Sequence, residues 1–263
     1  MTPVRRRTFL DCEFDPRDMS LAGLLSIGVT DDDERDYYAV NADANLDGLL
    51  DHAFILEHVL PHLPVTVHHD RSDTPAAGAR RRVRRWWRRL RGTPPRVTAI
   101  EWDTSHPHYQ YVRPAKEIAT DLEQYFAAQE APELVAYYGG QDICRLHSLW
   151  NNDWQAMPGF VPRYFTDVQV LANQLGVSEL PEQNSTAHHA LDDARYNRDA
   201  YRFLLGVHEE RGVDVEALGR QLHQWDPAKG GRWEDLTNWE RGDYRHTAQL
   251  LLAKYDVRTR EQS

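Results

Sequence analysis

Apolar and polar residues alternate along three early stretches of the chain. In "RTFLDCEF" (7–14), Leu10, Cys12 and Phe14 fall on one side of an extended backbone while Asp11 and Glu13 share the other, which predicts a strand. "LLSIGVT" (24–30) and "DYYAVNA" (36–42) read as two more strands, suited to a meander. Apolar positions at Leu49, Ala53, Ile55, Leu56 and Val59 then predict a helix that ends near Pro61. Ile118, Leu122 and Phe126 lie four apart within a predicted helix over 114–129. "ELVAYYGG" (133–140) reads as a strand broken by glycines, and "QDICRLHSLW" starts a helix after it. "RYFTD" (163–167) is a further candidate strand before the helical "VQVLANQLG". A long helix covers "AHHALDDARYNRDAYRFLL", with Asn184, Ser185 and Thr186 as candidate caps. Strands at both ends of a mixed order predict one α/β sandwich.

Residues 64–99 interrupt this order. Turn-formers "SDTPAAGA" precede, and "GTPP" follows, the stretch "RRRVRRWWRRLR" (80–91), which holds eight arginines and no acid. The formal net charge is −10, so the rest of the chain, without those eight positive charges, carries −18. The chain is locally basic and globally acidic, and the location of charge says more about partners than the total does. With 263 residues and 41% hydrophobic content, it can build one sizeable core, or a domain of about 200 residues with an appendage. No apolar run approaches the roughly 20 residues of a spanning helix, and "MTPVRRRTFLDCEF" has no hydrophobic signal region behind its arginines, so a cytoplasmic protein is expected. Cys12 and Cys144 are too few for a disulfide framework or a zinc–thiolate site, and both are expected to be reduced core residues.

Three acidic spots stand out against this background. Asp11 and Glu13 lie about 7 Å apart along one face of a strand that otherwise reads as buried. Such a pair is costly unless donors or a cation compensate it, although Asp-x-Glu at a strand end is more often simply solvated. Asp142 falls at a strand-to-helix junction, where an acid either favours the helix dipole or faces a pocket. Asp192 and Asp193 fall near a first helical turn, where acids are common without any function.

Their order along the chain resembles the DEDDh 3'-to-5' exonucleases of the ribonuclease H-like superfamily. The matching residues are Asp11 and Glu13 in "FLDCEF", Asp142 in "YYGGQDICRL", and His188 with Asp193 in "HHALDDAR". Within that group the sequence is similar to small actinobacterial exoribonucleases of the mycobacterial type, through "LLSIGV", "YYAV", "HVLPHLP" and "MPGFVPRYF". The resemblance implies a five-stranded mixed ribonuclease H-like sheet flanked by helices. It implies an exonuclease domain over residues 1–206, interrupted by an insertion at about 65–99, with a helical extension over 207–263. It further implies that Asp11, Glu13, Asp142 and Asp193 hold two Mg2+ or Mn2+ ions and that His188 is the general base. Asp11 would bridge both ions, Glu13 and Asp193 would hold the one on the nucleophile side, and Asp142 the other. An all-carboxylate site suits these oxygen-seeking ions. The implied reaction is removal of nucleoside 5'-monophosphates from single-stranded RNA ends or 3' overhangs. The tetrad serves DNA equally well, and a non-catalytic nucleic-acid-binding protein on the same fold is the other alternative.

The two histidines of the motif divide differently under geometry and under resemblance. Residues four apart share a helix face, so His189 would pair with Asp193 if both were helical. The family spacing selects His188 instead, which requires it to precede the first full turn; His189 is then expected to face solvent.

In the basic stretch, Val83, Trp86, Trp87 and Leu90 recur at helical spacing. An amphipathic helix there could dock the insertion on the body, bind a partner protein, lie on an anionic membrane, or contact nucleic acid. The nucleic-acid reading is preferred, with Phe14, Arg80, Arg81, Arg84, Arg85, Arg88 and Arg89 as contacts and no membrane partner. In the tail, "DVEALGRQLHQW" and "DYRHTAQLLLAKYDV" read as helices, and Trp225, Trp233 and Trp239 are expected to be buried, on the catalytic body or in a homodimer.

Overall fold

The structure is a computed structural model that describes residues 6–70, 96–129, 132–210, 215–226 and 231–254. The protein has a mixed α/β architecture. Eight strands occur among the described residues: β1 (Arg7–Phe14), β2 (Leu24–Asp31), β3 (Tyr37–Asn41), β4 (Val65–His69), β5 (Val97–Trp102), β6 (Val112–Arg113), β7 (Glu133–Ala136) and β8 (Phe165–Asp167). Six helices accompany them: α1 (Ala115–Ala127), α2 (Gly140–Ser148), α3 (Val168–Gln174), α4 (Ala190–Glu210), α5 (Val215–Trp225) and α6 (Asn238–Lys254). The main sheet has six strands in the order β6-β3-β2-β1-β7-β8. The first three strands form the antiparallel meander, while β6, β7 and β8 join by parallel pairing. The expected five-stranded sheet is thus extended by one: β6 adds two residues beside Val40 and Asn41, too short to leave an alternating pattern. The ends of the expected insertion pair with each other as the separate β4–β5 ribbon. The arginine stretch itself lies outside the described residues.

β1 runs through the middle of the sheet, which is why its two faces meet two different cores. Leu10 and Cys12 pack with Ile27, Val29, the Ile118, Leu122 and Phe126 stripe of α1, and Leu146 of α2. Phe9 faces the other way, onto Leu171 of α3 and Ala200, Tyr201 and Leu204 of α4. By the period of two, Asp11 and Glu13 share the Phe9 side and so point toward the start of α4. A third cluster joins Tyr38 and Val40 of β3 to Leu49, Ile55, Val59 and Ala190.

Several local details depart from the periodic reading. The expected helix over 49–61 is broken: a 3-10 turn at Leu46–Leu49, a π-helical turn at Ile55–Val59 and another 3-10 turn at Leu60–His62. Pro61 has no amide hydrogen, so a regular ladder cannot continue through it. β7 stops at Ala136 because Tyr138 adopts a left-handed backbone (φ 52°) and Gly139 follows under Phe165. A Cβ on Gly139 would lie 2.4 Å from that of Ala136. The long helix starts at Ala190, and its cap is neither Asn184, Ser185 nor Thr186: the amide of Asp192 donates to Nδ1 of His189 at 3.4 Å. Cys12 is buried as expected, but Cys144 is exposed on α2, whose inward face is taken by Arg145 and Leu146. Of the three tail tryptophans, Trp233 is buried, donating Nε1 to Glu216 at 3.1 Å, whereas Trp225 and Trp239 are 67% and 65% exposed. None of the described helices is long and apolar enough to cross a membrane.

Candidate active site

The carboxylates named from the sequence come together where β1, α2 and α4 meet. Asp11 lies opposite Gly28, and Glu13 opposite Ser26, in the β1–β2 register, which slips between Glu13 and Phe14. α2 brings Asp142 in its first turn beside β1, where Oδ1 accepts the Cys12 amide at 2.9 Å. The pairing of β1 with β7 ends at Phe9, so this bond uses a β1 donor that β7 does not reach, and Asp142 is held by the strand it serves. Asp193, in the first turn of α4, accepts the His188 amide on Oδ2 at 2.9 Å and is also met by the Gln183 side-chain amide. Its neighbour Asp192 turns away, pairing with Arg195 at 3.0 Å.

Among the described residues, Glu13, His188 and Asp193 come together with one ligand atom from each lying within 4.8 Å of the others. Asp11 and Asp142 border that group and act on it through charge. Burial raises the Asp11 carboxyl well above its ordinary value, and Asp142, Glu13 and Asp193 add to the rise. Burial, then Asp193 and Asp142, push Glu13 up to about 8. Asp142 rises to about 7 because burial outweighs the Cys12 amide that favours its anion. Burial also raises Asp193, against the opposing bonds from Gln183 and the His188 amide. Four carboxyls that resist ionising together form an arrangement that divalent cations would compensate, and oxygen donors without a thiolate fit Mg2+ or Mn2+.

This arrangement makes the metal-free protein pH-sensitive in a defined direction. Carboxyls whose folded values exceed their unfolded ones bind more protons in the folded state, so the stability that these groups contribute is fully present below about pH 4 and is lost as pH rises toward 8. In EDTA, Glu13 and Asp142 should each lose about 1.4 kcal/mol of stability per pH unit between the unfolded and folded values, about 3–6 °C in midpoint. Added Mg2+ should restore the loss at pH 8. Thermal unfolding from pH 5 to 8, with and without the ion, measures both slopes.

His188 precedes α4 in a left-handed conformation (φ 62°), outside the helix that would otherwise carry it away from Asp193. Its ring stands edge-on to Phe54, centroids 5.0 Å apart, and 5.6 Å from His58. His189 is not solvent-exposed as the motif implied: its side chain is 13% exposed and lies against Tyr38, centroids 4.5 Å apart. A partner from β3, about 150 positions earlier, covers it, and burial lowers its basicity.

Phe14 is half-buried, with the Arg145 guanidinium 4.8 Å from its ring centre. Arg145 itself is fully buried and donates to the carbonyls of Asp15 (3.0 Å) and Asp18, pinning the β1–β2 connection. It also adds positive charge that opposes the rise at Asp142. Arg80, Arg81, Arg84, Arg85, Arg88 and Arg89 lie outside the described residues. Periodicity alone missed Phe54, His58 and Arg145. The four-residue spacing of Phe54 and His58, and of Arg145 one turn after Asp142, was the available signal.

No known family profile matches the chain. It is similar to two proteins named 3'-5' exoribonuclease, Rv2179c of Mycobacterium tuberculosis strain H37Rv and MT2234.1 of strain CDC 1551. Identity to each is 27% over 203 residues, covering 76% of this chain and 94% of theirs. Over most of its length the chain is thus similar to proteins named for 3'-5' exoribonuclease activity.

Proposed function

We propose that the protein is a metal-dependent 3'-5' exoribonuclease of the DEDDh type on a ribonuclease H-like fold. It hydrolyses single-stranded RNA ends or 3' overhangs to nucleoside 5'-monophosphates. The observation that carries this reading is the convergence of Asp11, Glu13, Asp142 and Asp193 with His188 at one end of β1, supported by the likeness to proteins named for that activity. Asp11, Glu13 and Asp193 would hold one Mg2+ or Mn2+ ion, and Asp11 and Asp142 a second. Such ions, when bound, offset the charge of the scissile phosphate and favour ionisation of water. The chain's own part is to position and to move a proton. Its ring nitrogen within reach of Glu13 and Asp193, His188 takes the proton of the attacking water. Phe54 and His58 stand exposed beside it, aromatic rings suited to stack the terminal base.

The two histidines test this assignment. General base catalysis typically contributes a factor of about 100 to 10,000, so His188→Asn, which tolerates the left-handed backbone, should lose turnover by that factor while keeping RNA binding. His189→Ala removes a helix cap and a ring contact, so it should cost about 1 kcal/mol of stability and leave turnover largely intact. Single-turnover degradation and urea unfolding of both variants measure this. A severe catalytic loss confined to His189→Ala would overturn the assignment of the base to His188.

A further inference from the structure

The same cluster that brings the base to the carboxylates also makes a second kind of metal site. Glu13, His188 and Asp193 can each offer one ligand atom, all within 4.8 Å of one another, a nitrogen and two oxygens around one point. That set differs from the all-oxygen set attributed above to Mg2+ or Mn2+. An imidazole beside two carboxylates suits the borderline ions, and affinity for a fixed N/O site rises from manganese to copper before falling at zinc, the borderline ion without redox chemistry. The ring is already turned inward before any ion binds. The left-handed backbone of His188 (φ 62°) and its amide bond to Asp193 at 2.9 Å fix where the side chain starts, and Phe54 and His58 back its ring at 5.0 and 5.6 Å. Little side-chain order therefore has to be imposed when an ion binds.

We infer that Glu13, His188 and Asp193 bind a single Zn2+ ion and that this ion inhibits the protein. The imidazole lone pair that would accept a proton from water is donated to the zinc instead, and Glu13 and Asp193 are withdrawn from the Mg2+ or Mn2+ position. The binding step stands on the geometry alone. The inhibitory step rests on the exonuclease reading.

Zinc binding to the metal-free chain, read by competition with a chromophoric chelator, separates the two. One Zn2+ per chain is expected, with imidazole nitrogen visible in its X-ray absorption spectrum. His188→Asn should weaken zinc at least about tenfold without weakening Mg2+, and Glu13→Gln should weaken zinc as well. Thermal midpoints without metal that are no lower than wild type's establish that both variants are folded. Equal zinc affinity in wild type and His188→Asn, or an all-oxygen shell, overturns the site. With the site established, micromolar Zn2+ should stop RNA degradation supported by excess Mg2+. Degradation that persists with zinc bound overturns the inhibition. A protein that binds zinc through His188 but degrades no RNA in Mg2+ or Mn2+ leaves the zinc site standing and removes the exonuclease reading.

Discussion

Asp11→Asn and Asp193→Asn should each abolish RNA degradation while leaving the fold intact. Both side chains keep their shape and lose a charge. In the metal-free protein that charge is a burden, since burial and the neighbouring carboxylates raise both groups above their ordinary values. Stability in EDTA near pH 8 should therefore hold or rise. The side-chain carbonyl left by Asp193→Asn can still accept the His188 amide, so the start of α4 need not shift. Metal charge at a scissile phosphate supplies several kcal/mol, so turnover should fall by about a thousandfold or more. Paired calorimetry and degradation assays measure the two effects, and near-normal turnover in either variant would remove the two-ion reading.

Gly28→Ala should do comparable damage from outside the carboxylate cluster. Gly28 sits on β2 opposite Asp11, where the start of α4 crosses the sheet. A Cβ there would lie 2.3 Å from the carbonyl carbon and oxygen of Ala190 and from the amide nitrogen of Leu191. These are backbone atoms, so no rotamer change relieves the clash and α4 has to move off the strand. His188 and Asp193 travel with it, away from Glu13. Overpacking of this kind costs about 1–3 kcal/mol, and a displacement of about 1 Å at reacting groups can cost about 100-fold in rate. Denaturant unfolding and turnover should both show the loss. An unaltered turnover would mean that α4 is not what sets the cluster's geometry.

Much of this arrangement could be read along the chain because it is local. Alternation in "RTFLDCEF" put Asp11 and Glu13 on one face of β1, and four-residue spacing placed the stripe of α1. The break before α4 that lets His188 stand free followed from motif spacing, although the capping side chain proved to be His189 itself. What escaped depends on partners remote in sequence. His189 is covered by Tyr38, Arg145 is spent on carbonyls of the β1–β2 connection, and the edge pairing of β6 consists of two residues. In the tail a tryptophan signals apolar area, but which of Trp225, Trp233 and Trp239 is covered within one chain depends on how α5 and α6 cross. Gly28 lay in plain view as a glycine inside a strand, a mark of close backbone approach whose partner only the fold names.

The central claim is that this site removes nucleotides from RNA 3' ends with the help of divalent ions. Single-stranded RNA carrying a 5' label, incubated with the full chain in Mg2+, Mn2+ or EDTA and resolved by length, tests it most directly. The account predicts a ladder that shortens one nucleotide at a time with Mg2+ or Mn2+, release of nucleoside 5'-monophosphates, and no shortening in EDTA or with Asp11→Asn. An intact label-bearing strand under both ions, or equal shortening in EDTA, would contradict it.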